Sequence, residues 1–225
     1  MTKLIAIAGG SGSGKTTIAN RLLEYFTSKG FTGDIFSTDH CYKDMSRLSE
    51  EQRRELCFDP IKNYDHPDCL NFSEMRGILA NLRSGRAFDY ERYDFETHSH
   101  PGDKIPVEAD LDVVFVEGLY ALFSGPGVNQ DLLRYYTSRL FVSTLENVAL
   151  ARRRMRDVEE RGRSPEDVER QIRTTVIPMY QRHVLASRSN AHRFINWTTS
   201  DEQEQKKIIE NLGDILIGIN SKSSN

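Results

Sequence analysis

The chain has little of what marks secreted, membrane-bound or nucleic-acid-coating proteins. Among its 225 residues are only three cysteines, Cys41, Cys57 and Cys69, whose odd number disfavours a disulfide framework and whose spacing matches no metal site. No segment approaches the roughly 20 apolar residues of a membrane span, and the first apolar run starts too early to leave room for a signal peptide. The net charge of -3 lacks the basic excess typical of nucleic-acid binders. These absences predict a cytoplasmic protein that binds neither nucleic acid nor membranes.

The most informative segment is a glycine-rich stretch between an apolar run and a helical pattern. It matches G-x-x-x-x-G-K-[ST], and this context is the one in which the motif binds phosphate. Glycines let backbone N–H groups close around phosphate oxygens, while Lys15 adds a positive charge and the Thr16 hydroxyl can ligate Mg²⁺. The segment therefore predicts a nucleoside triphosphate site. It consists of Gly9, Gly10, Ser11, Gly12, Ser13, Gly14, Lys15 and Thr16.

Short apolar segments alternate with helical patterns along the chain. The apolar segments are 3–8, 34–38, 112–116, 139–143 and 193–197, and their near-continuous hydrophobicity is typical of strands buried on both faces of a parallel sheet. The helical patterns are 16–28, 72–84, 145–160, 165–188 and 202–219. This alternation predicts one α/β domain over residues 1–225, a doubly wound P-loop NTPase fold with a five-stranded parallel sheet.

Residues 85–110 interrupt the alternation. A turn at residues 101–103 separates an aromatic segment from a short apolar one, which predicts an antiparallel β-hairpin inserted over the ligand-binding edge. Its rings offer flat surfaces for a nucleobase, or else form a small hydrophobic cluster under the hairpin. The residues concerned are Tyr90, Tyr93, Phe95, His98 and His100.

Two carboxylates follow predicted strands at the edge where ligands bind. Asp39 comes just after the second strand, where it can accept a proton from a substrate hydroxyl, hold water on Mg²⁺ or cap a helix. Glu117 follows four apolar residues of the third strand, an arrangement that presents a carboxylate to the metal shell in P-loop enzymes.

Arginines are concentrated around residues 152–163. Arg153 and Arg156 share a helix face, Arg161 and Arg163 flank a glycine, and Ser164 begins a new helix with a cap. Such a run is either a solvated helix face or a mobile element that brings cations onto a transferring phosphoryl group. The second reading predicts a helical arginine lid over residues 153–171, hereafter the lid region.

Taken together, these segments resemble the uridine kinase (uridine–cytidine kinase) family of P-loop kinases. The similarity covers about residues 3–197 and rests on motifs in a fixed order: the phosphate loop 9–17, Asp39-x-x-Tyr42, residues 63–68 (Asn-Tyr-Asp-His-Pro-Asp), Tyr93-Asp94-Phe95-x-x-His98, Glu117-Gly118, and residues 153–163 followed by Gln171. The chain departs from the family's usual pattern at His40, Cys41, Tyr64 and His100.

The resemblance implies transfer of the γ-phosphate of ATP, with GTP as the alternative donor, to the 5′-hydroxyl of uridine or cytidine in the presence of Mg²⁺. It implies that Asp39 is the base, that Asp65 and Arg153 hold the ribose, and that Gln171 and Tyr42 lie near the nucleoside. Tyr93 and His98 would meet the pyrimidine edge, and Tyr64 and Phe95 would form the base slot. The phosphates would be met by Lys15, Thr17, Arg156, Arg161 and Arg163, and the metal by Thr16 and Glu117. The family also suggests a homotetramer.

Two alternatives remain open on the sequence. A kinase of the same architecture could act on a sugar phosphate or a vitamin precursor, such as ribulose 5-phosphate or pantothenate, because fold does not fix substrate. A non-kinase nucleotide-binding switch is the second alternative, although the chain has no Asn-Lys-x-Asp guanine-reading motif.

Overall fold

The structure, a computed structural model, describes residues 1–57, 63–125 and 130–218. Its centre is a five-stranded parallel sheet in the order β2-β5-β1-β6-β7, as the alternation of segments predicts. These strands are β1 (Lys3–Gly9), β2 (Gly33–Ser37), β5 (Val113–Gly118), β6 (Ser138–Ser143) and β7 (Arg193–Asn196). A separate antiparallel pair consists of β3 (Phe88–Glu91) and β4 (Lys104–Val107), with Phe88 opposite Val107.

Helices cover both faces of the sheet. They are α1 (Lys15–Ser28), α2 (Glu50–Cys57), α3 (Phe72–Ser84), α4 (Glu146–Glu159), α5 (Pro165–Gln171), α6 (Ile177–Met179) and α7 (Glu202–Ile217). The sequence patterns contain no prediction of α2, a strongly polar helix with little apolar periodicity. The predicted end of the last helix, Ile219, lies outside the described residues.

The predicted helix 165–188 is instead a rod of mixed helical types. Between α5 and α6 lies a π-helical segment, Ile172–Val176, and a second one, Tyr180–Val184, follows α6. Pro178 has no backbone N–H and cannot donate to the preceding turn, so the rod departs from regular α-helical pairing around it. This departure affects which side chains of the rod face the site.

The core has two layers, one on each face of the sheet. Along β1, Leu4 and Ala6 pack on one face with α3 and the β3–β4 pair, whereas Ile5 and Ile7 pack on the other with α1 and α7. Side chains alternate across a strand, so a strand that is apolar at every position must be covered on both sides. The central sheet is therefore rigid, and its strand ends are fixed in position.

The segment before β6 belongs to this core. Leu132 and Tyr136 are 0 % and 6 % exposed. In the described ranges, no helix combines the length and the apolar character needed to cross a membrane.

Candidate active site

The carboxyl ends of β1, β2 and β5 bring the site's polar groups together. Ser37 is paired with Glu117 in the register of β2 and β5, and Glu117 is paired with Ile7 of β1. The next residue, Gly118, lies so close to the chain after β2 that a Cβ there would be 1.8 Å from the Thr38 hydroxyl oxygen. This close approach sets Asp39 beside Glu117 at the edge of the sheet.

The glycine-rich loop after β1 needs glycine for both conformation and space. Gly12 and Gly14 have positive φ angles of 75° and 96°. A Cβ at Gly12 would be 2.1 Å from the Ala149 carbonyl oxygen, and one at Gly14 would be 2.4 Å from the Trp197 ring. The loop is thus held between α4 and the segment after β7, with its backbone N–H groups near the N-terminus of α1.

Lys15 is buried at the base of this loop, and its ammonium donates a hydrogen bond to the Gly10 carbonyl at 2.9 Å. Burial lowers the pKa of Lys15, and the nearby carboxylates of Glu117 and Asp39 oppose that shift. The ammonium therefore lies near both the phosphate loop and the two carboxylates.

Glu117 is buried as well, with 6 % of its surface exposed. Burial and the neighbouring Asp39 raise its pKa, against the attraction of Lys15 and a hydrogen bond donated by the Ser37 hydroxyl at 2.9 Å. The Thr16 hydroxyl also bonds to this carboxylate. Carboxylate and hydroxyl oxygens are ligands that Mg²⁺ prefers, so Thr16 and Glu117 are suited to a hydrated Mg²⁺ bound to phosphates.

One cleft joins these groups to the predicted acceptor residues. Of the residues predicted to bind or react, it is lined by Ser11, Lys15, Thr16, Asp39, Tyr42, Tyr64, Asp65, Tyr93, Phe95, His98, Glu117, Arg153, Arg156, Arg161, Arg163 and Gln171. Thr17 is exposed on α1 and is not among the lining residues, and neither are Gly9, Gly12 and Gly14. Gly10 and Ser13 line a smaller cavity behind the loop, together with Tyr180.

Asp65 is held by Arg153 of the predicted site and by two residues that the sequence motifs do not reveal, Thr175 and Tyr120. The Thr175 hydroxyl donates to its carboxylate at 2.9 Å, and the Arg153 guanidinium lies 3.6 Å from the other carboxylate oxygen. The Tyr120 hydroxyl donates to the backbone carbonyl of Asp65. A carboxylate fixed in this way can accept hydrogen bonds from a polyol without first being ordered.

Aromatic rings form the far wall of the cleft. His98 and Tyr64 stack with ring centroids 4.0 Å apart and planes only 6° from parallel. The Tyr93 hydroxyl is 3.4 Å from His98 Nδ1, and Tyr93 packs against both Tyr42 and Phe95. His98 itself has a positive φ of 52°. The sequence predicts Tyr64 and Phe95 as the two walls of a slot, but in this structure His98 occupies the face of Tyr64.

Two other histidines fasten the hairpin segment to the chain after β2. His40 Nδ1 accepts a hydrogen bond from the Tyr93 backbone N–H at 3.2 Å. The ring nitrogens of His100 lie 2.8 Å from the Tyr42 carbonyl oxygen and 3.2 Å from the Arg92 carbonyl oxygen, and the neutral ring donates its one N–H to one of them. Both histidines are departures from the pattern of the family that the sequence resembles, and both support the aromatic wall.

The arginines of the lid region reach into the same cleft. Arg156 donates to the Ser11 hydroxyl of the phosphate loop at 3.4 Å, and Arg163 donates to the Gln171 side chain at 3.0 Å. Arg161 lies over the Phe95 ring, 4.9 Å from its centroid. Phosphate-side and acceptor-side residues are therefore connected through the lid region.

A family model described as "Phosphoribulokinase / Uridine kinase family" matches residues 4–202. The chain belongs to that family. Uridine kinase of Ureaplasma parvum serovar 3 is 36% identical over 196 residues, which are 86% of this chain and 87% of that protein. Uridine kinase of Staphylococcus haemolyticus is 35% identical over 190 residues, which are 84% and 85% of the two chains.

Solved structures of more distant kinases share the fold of this family member. Phosphoribulokinase from Rhodobacter spheroides has a TM-score of 0.62 at 16% identity, covering 87% of this chain and 70% of that one. D-glycerate 3-kinase from Cryptococcus neoformans has a TM-score of 0.58 at 13% identity, covering 87% and 86%. Family membership makes this chain a phosphotransferase with an alcohol group as acceptor and ATP as donor, which removes the nucleotide-binding switch as an alternative.

Proposed function

We propose that this chain transfers the γ-phosphate of ATP to the 5′-hydroxyl of uridine or cytidine. The observation that carries the proposal is the single cleft in which Lys15 and Asp39 face a wall of aromatic rings. Parallel stacking of Tyr64 and His98, with ring centroids 4.0 Å apart, supports a place for a flat ring on this wall. The relatives named uridine kinase at 33–36% identity support the same substrate class.

In the proposed reaction, transfer of the phosphoryl group is coupled to transfer of a proton. The Asp39 carboxylate accepts the proton of the 5′-hydroxyl while the hydroxyl oxygen bonds to the γ-phosphorus and the bond from that phosphorus to ADP breaks. Lys15, with Arg156 beside Ser11, stabilises the negative charge that spreads over the phosphoryl oxygens. Thr16 and Glu117 would hold Mg²⁺, which would neutralise negative charge on the phosphates.

The acceptor is held by its sugar and its base. Asp65 and Arg153 bind the ribose hydroxyls, since Thr175 and Tyr120 already fix Asp65 in the cleft. A pyrimidine takes the face of Tyr64, opposite Phe95, and displaces the His98 ring towards the base edge, where Tyr93 also lies. Tyr42 and Gln171 complete the walls around the nucleoside, and Arg161 and Arg163 meet the phosphates.

A sugar phosphate fits this cleft less well than a nucleoside. The acceptor-side wall consists largely of aromatic rings, among them those of Tyr64, Tyr93 and Phe95. A flat base stacks on such rings, whereas a phosphate buried against them is costly unless a cation pairs with it. The relatives named uridine kinase also favour the nucleoside.

The test is an acceptor panel. We expect ADP release from Mg-ATP with uridine or cytidine, a product of the mass of the nucleoside monophosphate, and no transfer to adenosine, ribulose 5-phosphate or pantothenate. GTP in place of ATP determines the donor range. Transfer to one of the other acceptors, with neither pyrimidine phosphorylated, would refute the proposal while leaving the chain a kinase.

A cytoplasmic location and a homotetramer are further parts of the proposal. Support for assembly is confined to exposed apolar side chains such as Met155 and Phe194, which are 55 % and 56 % exposed. Sedimentation velocity of the full chain tests it, and a mass of one 25.8 kDa chain at micromolar concentration would contradict it.

A further inference from the structure

The strongest feature that the proposed reaction leaves without a role is Asp157, in the last turn of α4. It is 0 % exposed, and four guanidinium groups surround it. One carboxylate oxygen lies 2.9 Å from Arg156 and 3.4 Å from Arg161, and the other lies 3.2 Å from Arg153 and 3.5 Å from Arg163. An ion without exposure to water is tolerated only when it is paired, so this carboxylate depends on the arginines and they depend on it.

Each of the four arginines also touches a different wall of the cleft. The pairs are Arg156 with Ser11 of the phosphate loop, Arg161 with Phe95 of the aromatic wall, Arg163 with Gln171 of the rod, and Arg153 with Asp65 of the ribose side. Through these four arginines, Asp157 is connected to both the donor side and the acceptor side of the cleft.

Asp157 holds the arginines in place while most of their N–H groups remain available as hydrogen-bond donors. Only Arg156 donates well-oriented hydrogen bonds to it, at 2.9 and 3.1 Å. Across the described residues, neither Asp157 Oδ2 nor Arg153 Nε has a hydrogen-bond partner, although they are 3.2 Å apart. Charge attraction keeps the guanidiniums in place, and most of their N–H groups remain able to donate to phosphate and sugar oxygens.

The ionisation of Asp157 agrees with this arrangement. Its burial alone would raise the pKa, but attraction by Arg153 and Arg156, with the hydrogen bond from Arg156, lowers it instead. The carboxylate is therefore charged at neutral pH.

We propose that Asp157 is a positioning residue for phosphoryl transfer: it orients four arginine side chains into the cleft before the substrates bind. The inference rests on the proposed function, because it assigns the arginines to the phosphates and the acceptor. Oriented cations stabilise the transition state without being ordered at the moment of reaction. Asp157 itself touches no reacting atom.

The test is Asp157→Asn, which keeps the shape and removes the charge. Simple electrostatics predicts tighter ATP binding, since a negative charge near the phosphates is lost. Positioning predicts that the Kd of the non-hydrolysable analogue AMP-PNP stays within about twofold or tightens, while kcat for uridine falls by at least about tenfold. The control is Glu169→Gln, which removes an ion pair between the same two helices, with Arg154, on the outer face. Its kcat should stay within about twofold of wild type.

Two results would overturn the inference: a normal kcat in Asp157→Asn, or an equal loss of kcat in Glu169→Gln. If Asp157→Asn does not fold, because four cations then repel one another, Arg163→Gln relieves that repulsion. The double variant should still turn over at least about tenfold more slowly than Arg163→Gln alone, and equal rates would refute the role. Wild-type protein in the same assay separates this outcome from failure of the proposed function, which would show as no uridine phosphorylation at all.

Discussion

Single side chains in this cleft owe their proposed roles to a neighbour that fixes them. Asp39 is placed by the close approach of Thr38 to Gly118, and its backbone N–H donates to the Ser37 hydroxyl at 3.4 Å. His100 carries no proposed chemistry but joins the backbone of Tyr42 to that of Arg92. Substitution of Asp39 should therefore affect the chemical step, whereas substitution of His100 should affect binding of the nucleoside at the aromatic wall.

Asp39→Asn should lower kcat by roughly 10²–10⁴-fold, because the amide cannot accept the 5′-hydroxyl proton. Binding of AMP-PNP, measured by calorimetry, should change little. Asp89→Asn, at an exposed position of β3, is the matched control and should be as active as wild type. Near-normal turnover of Asp39→Asn would remove Asp39 as the base.

His100→Ala should raise the KM for the nucleoside by about tenfold, the cost of roughly one or two hydrogen bonds that hold the aromatic wall. The kcat at saturation should change little, because His100 touches no reacting group. His100→Arg offers N–H donors to the same two carbonyls and should restore the KM. Steady-state kinetics with uridine would contradict this assignment if alanine and arginine behaved alike.

At the scale of elements, the rod after α5 decides which side chains reach the ribose side. Thr175 lies in the π-helical segment Ile172–Val176 and is buried, whereas its neighbour Thr174 is exposed and donates to the Arg170 carbonyl. A change in helical register by one residue would exchange the two. Local backbone geometry therefore selects the partner of Asp65.

Thr175→Val should raise the KM for uridine about tenfold, because a hydrogen bond to a carboxylate is lost while the shape is kept. The Kd of AMP-PNP should be unchanged, since Asp65 lies on the acceptor side. Thr174→Val is the isosteric control one residue away and should leave both constants as in wild type. If the two variants raised the KM equally, the cause would be a general disruption of the rod and not the loss of the hydrogen bond to Asp65.

At the scale of the whole molecule, partly buried histidines link stability to pH. Partial burial lowers the pKa of His40, His66 and His183 from 6.5. The unfolded chain then binds more protons than the folded chain between the folded and unfolded pKa values, so stability rises with pH through that window. The stability that these histidines contribute is lost as the pH falls below about 6.5.

We therefore expect a lower Tm at pH 5.5 than at pH 7.5 for the ligand-free protein, measured by scanning calorimetry at constant ionic strength. His183 packs against His66 with ring centroids 5.2 Å apart, and partial burial and the nearby His66 lower the pKa of His183. His183→Gln should reduce the difference in Tm between the two pH values. An unchanged Tm across this interval would refute the linkage.

Much of the fold and of the candidate site could be predicted from the sequence. The glycine-rich loop, the strand ends and the ordered motifs suffice for the five-stranded fold, and they name sixteen of the residues that line the cleft. Those predictions succeed because continuous apolar runs must be buried on both faces and because parallel strands end at one edge. Thr175 is one helical turn beyond Gln171. Its contact with Asp65 could have been predicted only if the helical register of the rod had been known.

What the sequence by itself determined is the class of chemistry: a loop that is typical of phosphate binding, carboxylates after buried strands, and aromatic residues before Glu117. Only the tertiary structure decided which groups hold them. Tyr120 and Asp65, and His100 and the Tyr42 carbonyl, are brought together from distant segments, and the turn after α4 brings Arg161 and Arg163 back to Asp157. The physical reason is that a motif records residue types along one segment, whereas the pairing of buried charges and donors depends on distances between segments.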